Sequence, residues 1–365
     1  MSSTYGKNLR ISLAGQSHSK GMGVIIDGFP VGFTVDFEKL QTFLNRRAPG
    51  NNDYSTKRKE ADAPEFLSGL VDGTTCGAPI LATIANTNCH SVDYEELKDI
   101  PRPSHADFTA QVKYKGFQDV SGGGHFSGRL TAPLCVAGGL ALQYLESRGI
   151  YIFAHIKQIH NITSDSVDYS TLTQDELNQI SRKDFPVLDD NLAESMKNVI
   201  LNAAKNGDSV GGVVECVVLG LPAGVGDPMF ERLEGRISSA VFGIPAVRGI
   251  EFGNGFQSAS LYGSENNDPF YFDGYDVKTA TNNAGGLLGG ISNGMPLIFR
   301  TAIKPTPSIA KEQQSISFSQ NKEVKLTVKG RHDPCIVQRA VPAVEAAAAI
   351  SVLDAYLDFI MYKEV

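Results

Sequence analysis

The 365-residue chain has little cysteine, no flexible linker and no apolar leader. Its five cysteines (Cys76, Cys89, Cys135, Cys216 and Cys335) stand far apart, with no CxxC pair and no Cys/His metal spacing. That argues against a zinc site or a disulfide framework, so no metal is expected. A scattered, odd set of thiols fits a reduced, cytosolic protein. The start, Met1-Ser2-Ser3-Thr4-Tyr5-Gly6-Lys7, lacks a signal core and reads as a mature cytoplasmic N-terminus. No stretch is Gly/Ser-rich or Pro-rich in the manner of a linker, and no short repeat is present. Positive charge is not in excess: 33 Lys+Arg against 40 Asp+Glu gives −7, which argues against a protein that coats nucleic acid. The longest apolar stretch, 341–361, contains Glu345, Asp354 and Asp358, which are costly in lipid. It reads as a buried helix and not as a membrane span.

Two phosphate-binding patterns are also missing. The Walker pattern GxxxxGK[ST] does not occur. The dinucleotide pattern GxGxxG fails because Gly122 and Gly124 are followed by Ser127 where the third glycine belongs. A conventional nucleotide fold is thereby disfavoured, although glycine-rich backbone can cradle an anion without either pattern.

Regular structure is legible in several places. Leu192, Met196, Val199, Ile200 and Ala203 mark one helix face, with Asp189 or Asp190 to cap its start and Gly207 to end it. Val214, Cys216 and Val218 alternate with Glu215, Val217 and Leu219 as a strand does. Strands are also expected over 79–84 and 150–155, and long buried helices over 127–147 and 343–360. No regular β-α-β rhythm appears, which favours α+β layers with antiparallel sheets over a doubly wound parallel sheet.

Between these elements lie glycine-rich polar stretches at 15–23, 121–128, 282–293, 304–308 and 330–333. With 37 glycines in the chain, the excess points to places where backbone closely approaches a ligand or another segment. Cations cluster near them: Arg46, Arg47, Lys57, Arg58, Arg102, Arg129, Lys304 and Arg331. In an acidic protein such a set suggests a pocket for a polyanionic small molecule. Taken singly, each cation is more readily a solvated surface charge. His18 and His105 sit on loops beside glycine or serine, where a histidine either carries a proton or is held structurally. Asp333, between Arg331, His332 and Pro334, is a base or a salt-bridge partner.

Six segments, in this order, resemble the chorismate synthase family: Arg46-Arg47-Ala48-Pro49-Gly50, Arg102-Pro103-Ser104-His105-Ala106-Asp107, Arg248-Gly249-Ile250-Glu251-Phe252-Gly253, residues 282–294, Lys304-Pro305-Thr306 and Gly330-Arg331-His332-Asp333-Pro334-Cys335. The resemblance runs from Gly6 to about Leu357. It implies one domain over 1–365, with an α+β, β-α-β sandwich fold in which helices are packed between antiparallel sheets. It implies a lyase that needs reduced FMN (FMNH2) and eliminates phosphate from 5-enolpyruvylshikimate 3-phosphate to give chorismate, the last common step towards the aromatic amino acids. It also implies a homotetramer. The chain has no pyridine-nucleotide fingerprint, so an external flavin reductant is expected.

The resemblance implies roles position by position. His18 and His105 match the family's two histidines, the second a proton donor, and Asp333 matches an Asp that takes a proton by way of the flavin. Arg47, Arg102, Arg129 and Arg331 match arginines lining the pocket, with Ser127 beside them. Ser127, Pro245, Ala246, Gly289, Arg331 and the run Lys304-Pro305-Thr306-Pro307-Ser308 fall on flavin-contacting stretches. The chain departs from the pattern at Gln16, Ser19 and Asp53, and at His125 and Phe126 on the flavin side, where positive charge is lost.

Overall fold

The computed structural model describes residues 3–48, 62–86, 96–328 and 333–363. Two five-stranded antiparallel sheets form its outer layers. The first runs Thr4–Tyr5, Arg10–Gly15, Gly21–Asp27, Ile80–Ala85, Glu65–Ser68. The second runs Val247–Phe252, Leu297–Ile303, Gly212–Leu219, Tyr151–Ile159, Ile162–Thr163. Alternation sets which face is covered: Met22, Val24 and Ile26 are buried with Ile80, Ala82 and Ile84 of the neighbouring strand, whereas Ile25 faces outward.

The helices are α1 (Phe37–Arg47), α2 (Asp107–Tyr114), α3 (Thr131–Glu146), α4 (Gln174–Ser181), α5 (Asp190–Lys205), α6 (Leu233–Phe242), the single turn α7 (Gly263–Asn266) and α8 (Val337–Lys363). Between the sheets, α3 lies against the first, α8 against the second, and the two helices pack on each other. Each is apolar on nearly all sides, as a helix in the middle layer must be. Small residues set their spacing: a Cβ on Gly138 would lie 2.2 Å from Ala346 Cβ. The layers are the expected α+β arrangement of helices between antiparallel sheets.

Several boundaries are as expected. Asp189 caps α5 by accepting from the Asn191 N–H, and Gly207 follows its end at φ 65°. Two expected boundaries move. The helix expected over 127–147 begins at Thr131, because Ser127 accepts from the Arg129 N–H and caps a short 3₁₀ turn, Gly128–Leu130. The helix expected over 343–360 begins at Val337 and carries Pro342 inside it. Burial of its first turns against the core outweighs the missing proline N–H.

α8 is long and apolar enough to cross a membrane, and 89% of its apolar window is buried in protein. Its acidic residues all have partners. Glu345 binds Arg46 through two contacts of 2.7 and 2.9 Å. Asp354 accepts the backbone N–H groups of Lys7, Asn8 and Leu9. Asp358 pairs with Arg236 at 2.9 Å. Paired in this way, the carboxylates are tolerated in the core.

The outward face of the second sheet holds a buried polar cluster away from the cavity described below. Glu215 accepts from the Tyr169 hydroxyl at 2.5 Å, and His155 Nε2 lies 2.7 Å from the same hydroxyl. Lys157 and Arg300 stand 3.8 and 3.5 Å from the Glu215 carboxylate. Burial alone pushes this carboxyl up, but His155, Lys157 and Tyr169 outweigh it and hold the value near about 2 instead of 4.5. A depressed carboxyl contributes stability that is whole above its unfolded value and fades as pH falls through the folded one. Stability is therefore expected to decline between pH 4.5 and about 2. In Glu215→Gln this decline flattens, and stability at neutral pH drops by on the order of 3 kcal/mol. Denaturant titrations of both proteins across that range check it.

Candidate active site

A cavity of about 860 Å³ opens where the glycine loop, the turn before α2, the end of α6, the 304–308 segment and the start of α8 meet. The glycine loop supplies the close approach. Gly122, Gly123 and Gly124 all have left-handed φ (60°, 85° and 54°), which L side chains avoid. A Cβ on Gly122 would lie 2.2 Å from His18 Cε1, and one on Gly123 would lie 3.2 Å from His105 Cε1 and Nε2. The bare backbone thus passes between the two histidines. His105 lines the cavity, whereas His18 stands behind Gly122, its Nδ1 3.1 Å from the Ser17 hydroxyl.

At the start of α2, Asp107 holds both Arg102 and His105 of the preceding turn. Arg102 donates Nε to Oδ2 at 2.8 Å and Nη2 to Oδ1 at 2.9 Å, and His105 Nδ1 lies 2.5 Å from Oδ1. Burial raises the Asp107 carboxyl, but hydrogen bonds from Arg102 and His105 outweigh it and hold it well below the usual carboxylate range. Deeper in, Asp62 pairs with both Arg47 and Arg129, and all three side chains are almost fully buried.

Part of the lining is built on strained backbone. Ser104 and Ala246, both lining the cavity, have φ of 59° and 74°. Lys304 joins them: its backbone N–H donates to Ala246 O at 3.0 Å, and its ammonium donates to Ser104 O. Burial, with Arg248 next to it, pulls the lysine below its ordinary value. Arg248 itself makes no ion pair with any described residue. Below them Arg339 pairs with Asp333 at 2.5 Å and donates to Arg47 O at 3.1 Å. Six cationic side chains line the cavity and three carboxylates pair with them, leaving three positive charges unmatched among the described residues.

Most residues singled out from the sequence meet here. Arg47, Arg102, His105, Arg129 and Asp333 line the cavity, as do His125, Phe126 and Ser127 of the glycine loop. Pro245, Ala246, Lys304, Thr306, Pro307 and Ser308 line it too. Pro305 is exposed and does not line it. Gly289 does not line it either: it sits by the start of α6, where Leu233 N–H binds Gly290 O, about 15 Å from the helix end that borders the cavity. Arg331 and Asp53 lie outside the described residues. His125 Nδ1 lies 2.8 Å from Gly15 O and Nε2 2.8 Å from the Ser3 hydroxyl.

Sequence reasoning missed Asp62, Asp107, Arg248 and Arg339 as site residues. Asp107 stood inside a quoted motif, two positions after His105. Nothing in the sequence marks Asp62 as the partner of two arginines. Two Gly-x-Ser-x-Gly stretches, 207–211 and 290–294, are not nucleophile elbows. Ser209 lies on a helix-to-strand turn and donates to Thr306 O, and Ser292 is buried and donates to Pro222 O.

Fold and cavity together define an α+β enzyme whose ligand is a small polyanion. The family model for chorismate synthase matches residues 9–357. The chorismate synthase of Lancefieldella parvula is 45% identical, over 97% of this chain and 96% of that one. That of Methanococcus maripaludis is 42% identical, over 96% of each. A chorismate synthase crystal structure superimposes with a TM-score of 0.74 at 26% identity, over 97% of this chain and 93% of that one. The chain belongs to the chorismate synthase family. It is a lyase that forms chorismate from 5-enolpyruvylshikimate 3-phosphate, in aromatic amino acid biosynthesis, within a family that uses a flavin.

Proposed function

We propose that the cavity holds the substrate against reduced FMN, with His105 and Asp333 as its proton-handling groups and Arg47, Arg102, Arg129, Arg248, Arg331 and Lys304 as its anion-holding groups. The supporting observation is convergence: His105, Arg129, Lys304 and Asp333, from four distant segments, line one cavity of about 860 Å³. That volume falls within the range of about 300–1,000 Å³ that small-molecule sites occupy. The donor set fits a flavin beside a substrate with two carboxylates and a phosphate. Phe126, Ile244, Pro245, Val247 and Pro307 offer apolar surface for a flat ring, and the unmatched cations suit the acidic groups. Thr306, also in the wall, has a buried hydroxyl with no hydrogen-bond partner among the described residues.

When bound, reduced FMN supplies electron density to the substrate ring. The chain does the rest. Lys304 and Arg248, like charges held close together, favour an anion between them and hold the phosphate as it leaves. His105 presents Nε2 at the cavity wall and gives a proton to the leaving phosphate. Asp333, fixed by Arg339, takes up the proton lost from the other side of the ring. His18 orders the glycine loop from behind through Gly122. The chain acts as one domain, which a single buried apolar cluster reaching from Leu9 to Ala355 supports. It works in the cytoplasm as a homotetramer fed by an external flavin reductant. Exposed aromatics at Phe256, Tyr262, Phe270, Phe272 and Tyr275 support self-association.

An anaerobic assay with chemically reduced FMN tests this reading. Phosphate and chorismate are expected in equal amounts only when substrate, FMN and reductant are all present. Tight flavin binding with no phosphate release would reject it.

A further inference from the structure

We propose that Asp107 is the positioning residue for His105: its carboxylate holds the Nδ1 proton and leaves Nε2 as the one ring atom that exchanges a proton with the ligand. The inference rests on the reading that His105 donates a proton, and it deepens that reading.

The geometry carries it. His105 Nδ1 lies 2.5 Å from Asp107 Oδ1, a separation that requires a proton between the two atoms. The carboxyl is the acceptor partner, since Arg102 already donates to it from Nε, Nη2 and its backbone N–H, at 2.8, 2.9 and 3.0 Å. An ionised carboxylate has no proton to give, so the shared proton belongs to Nδ1. Arg102 Nη2, 3.1 Å from Nδ1, is then next to a protonated nitrogen and serves Asp107, not the ring's lone pair. The low-lying Asp107 carboxyl agrees. The other edge of the ring, Nε2, borders Gly123, whose φ of 85° disfavours a side chain and where a Cβ would lie 3.2 Å from the ring.

The surroundings fix this polarity. Among the described residues, the charged and titratable groups near the ring are Arg102 and Asp107 on its own segment, Lys304 bound to Ser104 O, Arg248 beside that lysine, and His18 behind Gly122. Asp107 is the one carboxylate among them. It begins α2, where an acidic side chain also complements the helix N-terminus, so its place is fixed by secondary structure as well as by Arg102. The arrangement couples carboxylate, imidazole and reacting atom in the order that holds an imidazole in one tautomer in other proton-transferring enzymes.

A double-mutant cycle with a spectroscopic arm tests it. In Asp107→Asn, kcat is expected to fall about 10²-fold. KM and the FMN dissociation constant should stay within about threefold, as expected for a group that acts on the proton and not on uniform binding. In a His105→Ala background the same substitution should change kcat by less than about threefold. Asp107→Glu should recover part of the loss. ¹⁵N spectra of histidine-labelled wild-type protein, with His105 assigned by its absence in His105→Ala, should show a protonated Nδ1.

An equal loss of kcat in both backgrounds, or a loss confined to KM, would overturn the inference, because Asp107 would then act through Arg102 alone. An unprotonated Nδ1 in the wild-type spectrum would overturn it without any variant, so it stays testable even if Asp107→Asn fails to fold. If His105→Ala itself keeps full turnover, the underlying reading fails; if His105→Ala loses turnover and Asp107→Asn does not, only the present inference fails.

Discussion

His105→Ala lowers kcat by about 10²–10⁴-fold while reduced FMN still binds. The size follows from what is lost: a positioned proton donor at the point where phosphate departs as an anion. The binding wall should survive. Arg102 keeps its two side-chain contacts with Asp107 in the absence of the ring, and Arg102 Nη1 keeps its 3.2 Å bond to Ser308 Oγ. His105 is half-buried on a turn, so its removal leaves no large cavity in the core. Steady-state kinetics under anaerobic conditions, with flavin binding followed by absorbance, separate the two effects. A kcat within about threefold of wild type would remove His105 from the chemistry.

Asp62→Ala has the largest expected effect on stability, and it reaches the site as well. Asp62 is fully buried and serves two guanidinium groups, Arg47 and Arg129, which are themselves nearly inaccessible to solvent. Removing the carboxylate leaves two buried cations with no shared counter-charge, and breaking one partner of such a set costs about 3–5 kcal/mol. For a chain of this length that corresponds to a fall in Tm on the order of 10 °C. Arg129 also lines the cavity, so KM for the substrate should rise in whatever fraction remains folded. Asp62→Asn, which keeps the volume and one acceptor oxygen, should lose less. Thermal unfolding of the two variants checks the ranking. A Tm for Asp62→Ala within about 2 °C of wild type would show that other groups balance the two arginines.

The elements most legible in the sequence are those whose signal is local. The face defined by Leu192, Met196, Ile200 and Ala203 became α5, capped by Asp189, because helical periodicity and capping act over a few residues. The alternation around Cys216 became a central strand of the second sheet for the same reason. The early start of α8 was not legible. Pro342 marks a stop in local terms, and only burial against α3 and the second sheet shows why the helix runs through it.

The site divides in the same way. The glycine run 122–124, the loop histidines and the cations on Gly/Pro segments announced an anion site, because the residue types alone carry that chemistry. What those groups do to one another did not show. Arg102 lines the cavity, and its sharing of charge with Asp107 left no mark in the sequence. His125 lines the cavity, and the hydrogen bonds of its ring nitrogens with Gly15 and Ser3 had no sequence signal. Gly289 belonged to a specific motif, and the length of α6 places it away from the cavity.

By itself the sequence determined the layered α+β class, the main helices and strands, the family, and the types of side chain that meet the ligand. Periodicity, capping and residue chemistry are properties of short stretches and survive without coordinates. Only the tertiary structure decided which charges stay unmatched, which histidine edge meets the cavity, and that Asp62 and Asp107 control the arginines. Pairings between residues dozens or hundreds of positions apart, such as Arg46 with Glu345 or Asp62 with Arg129, depend on how the layers close and leave no local trace in the chain.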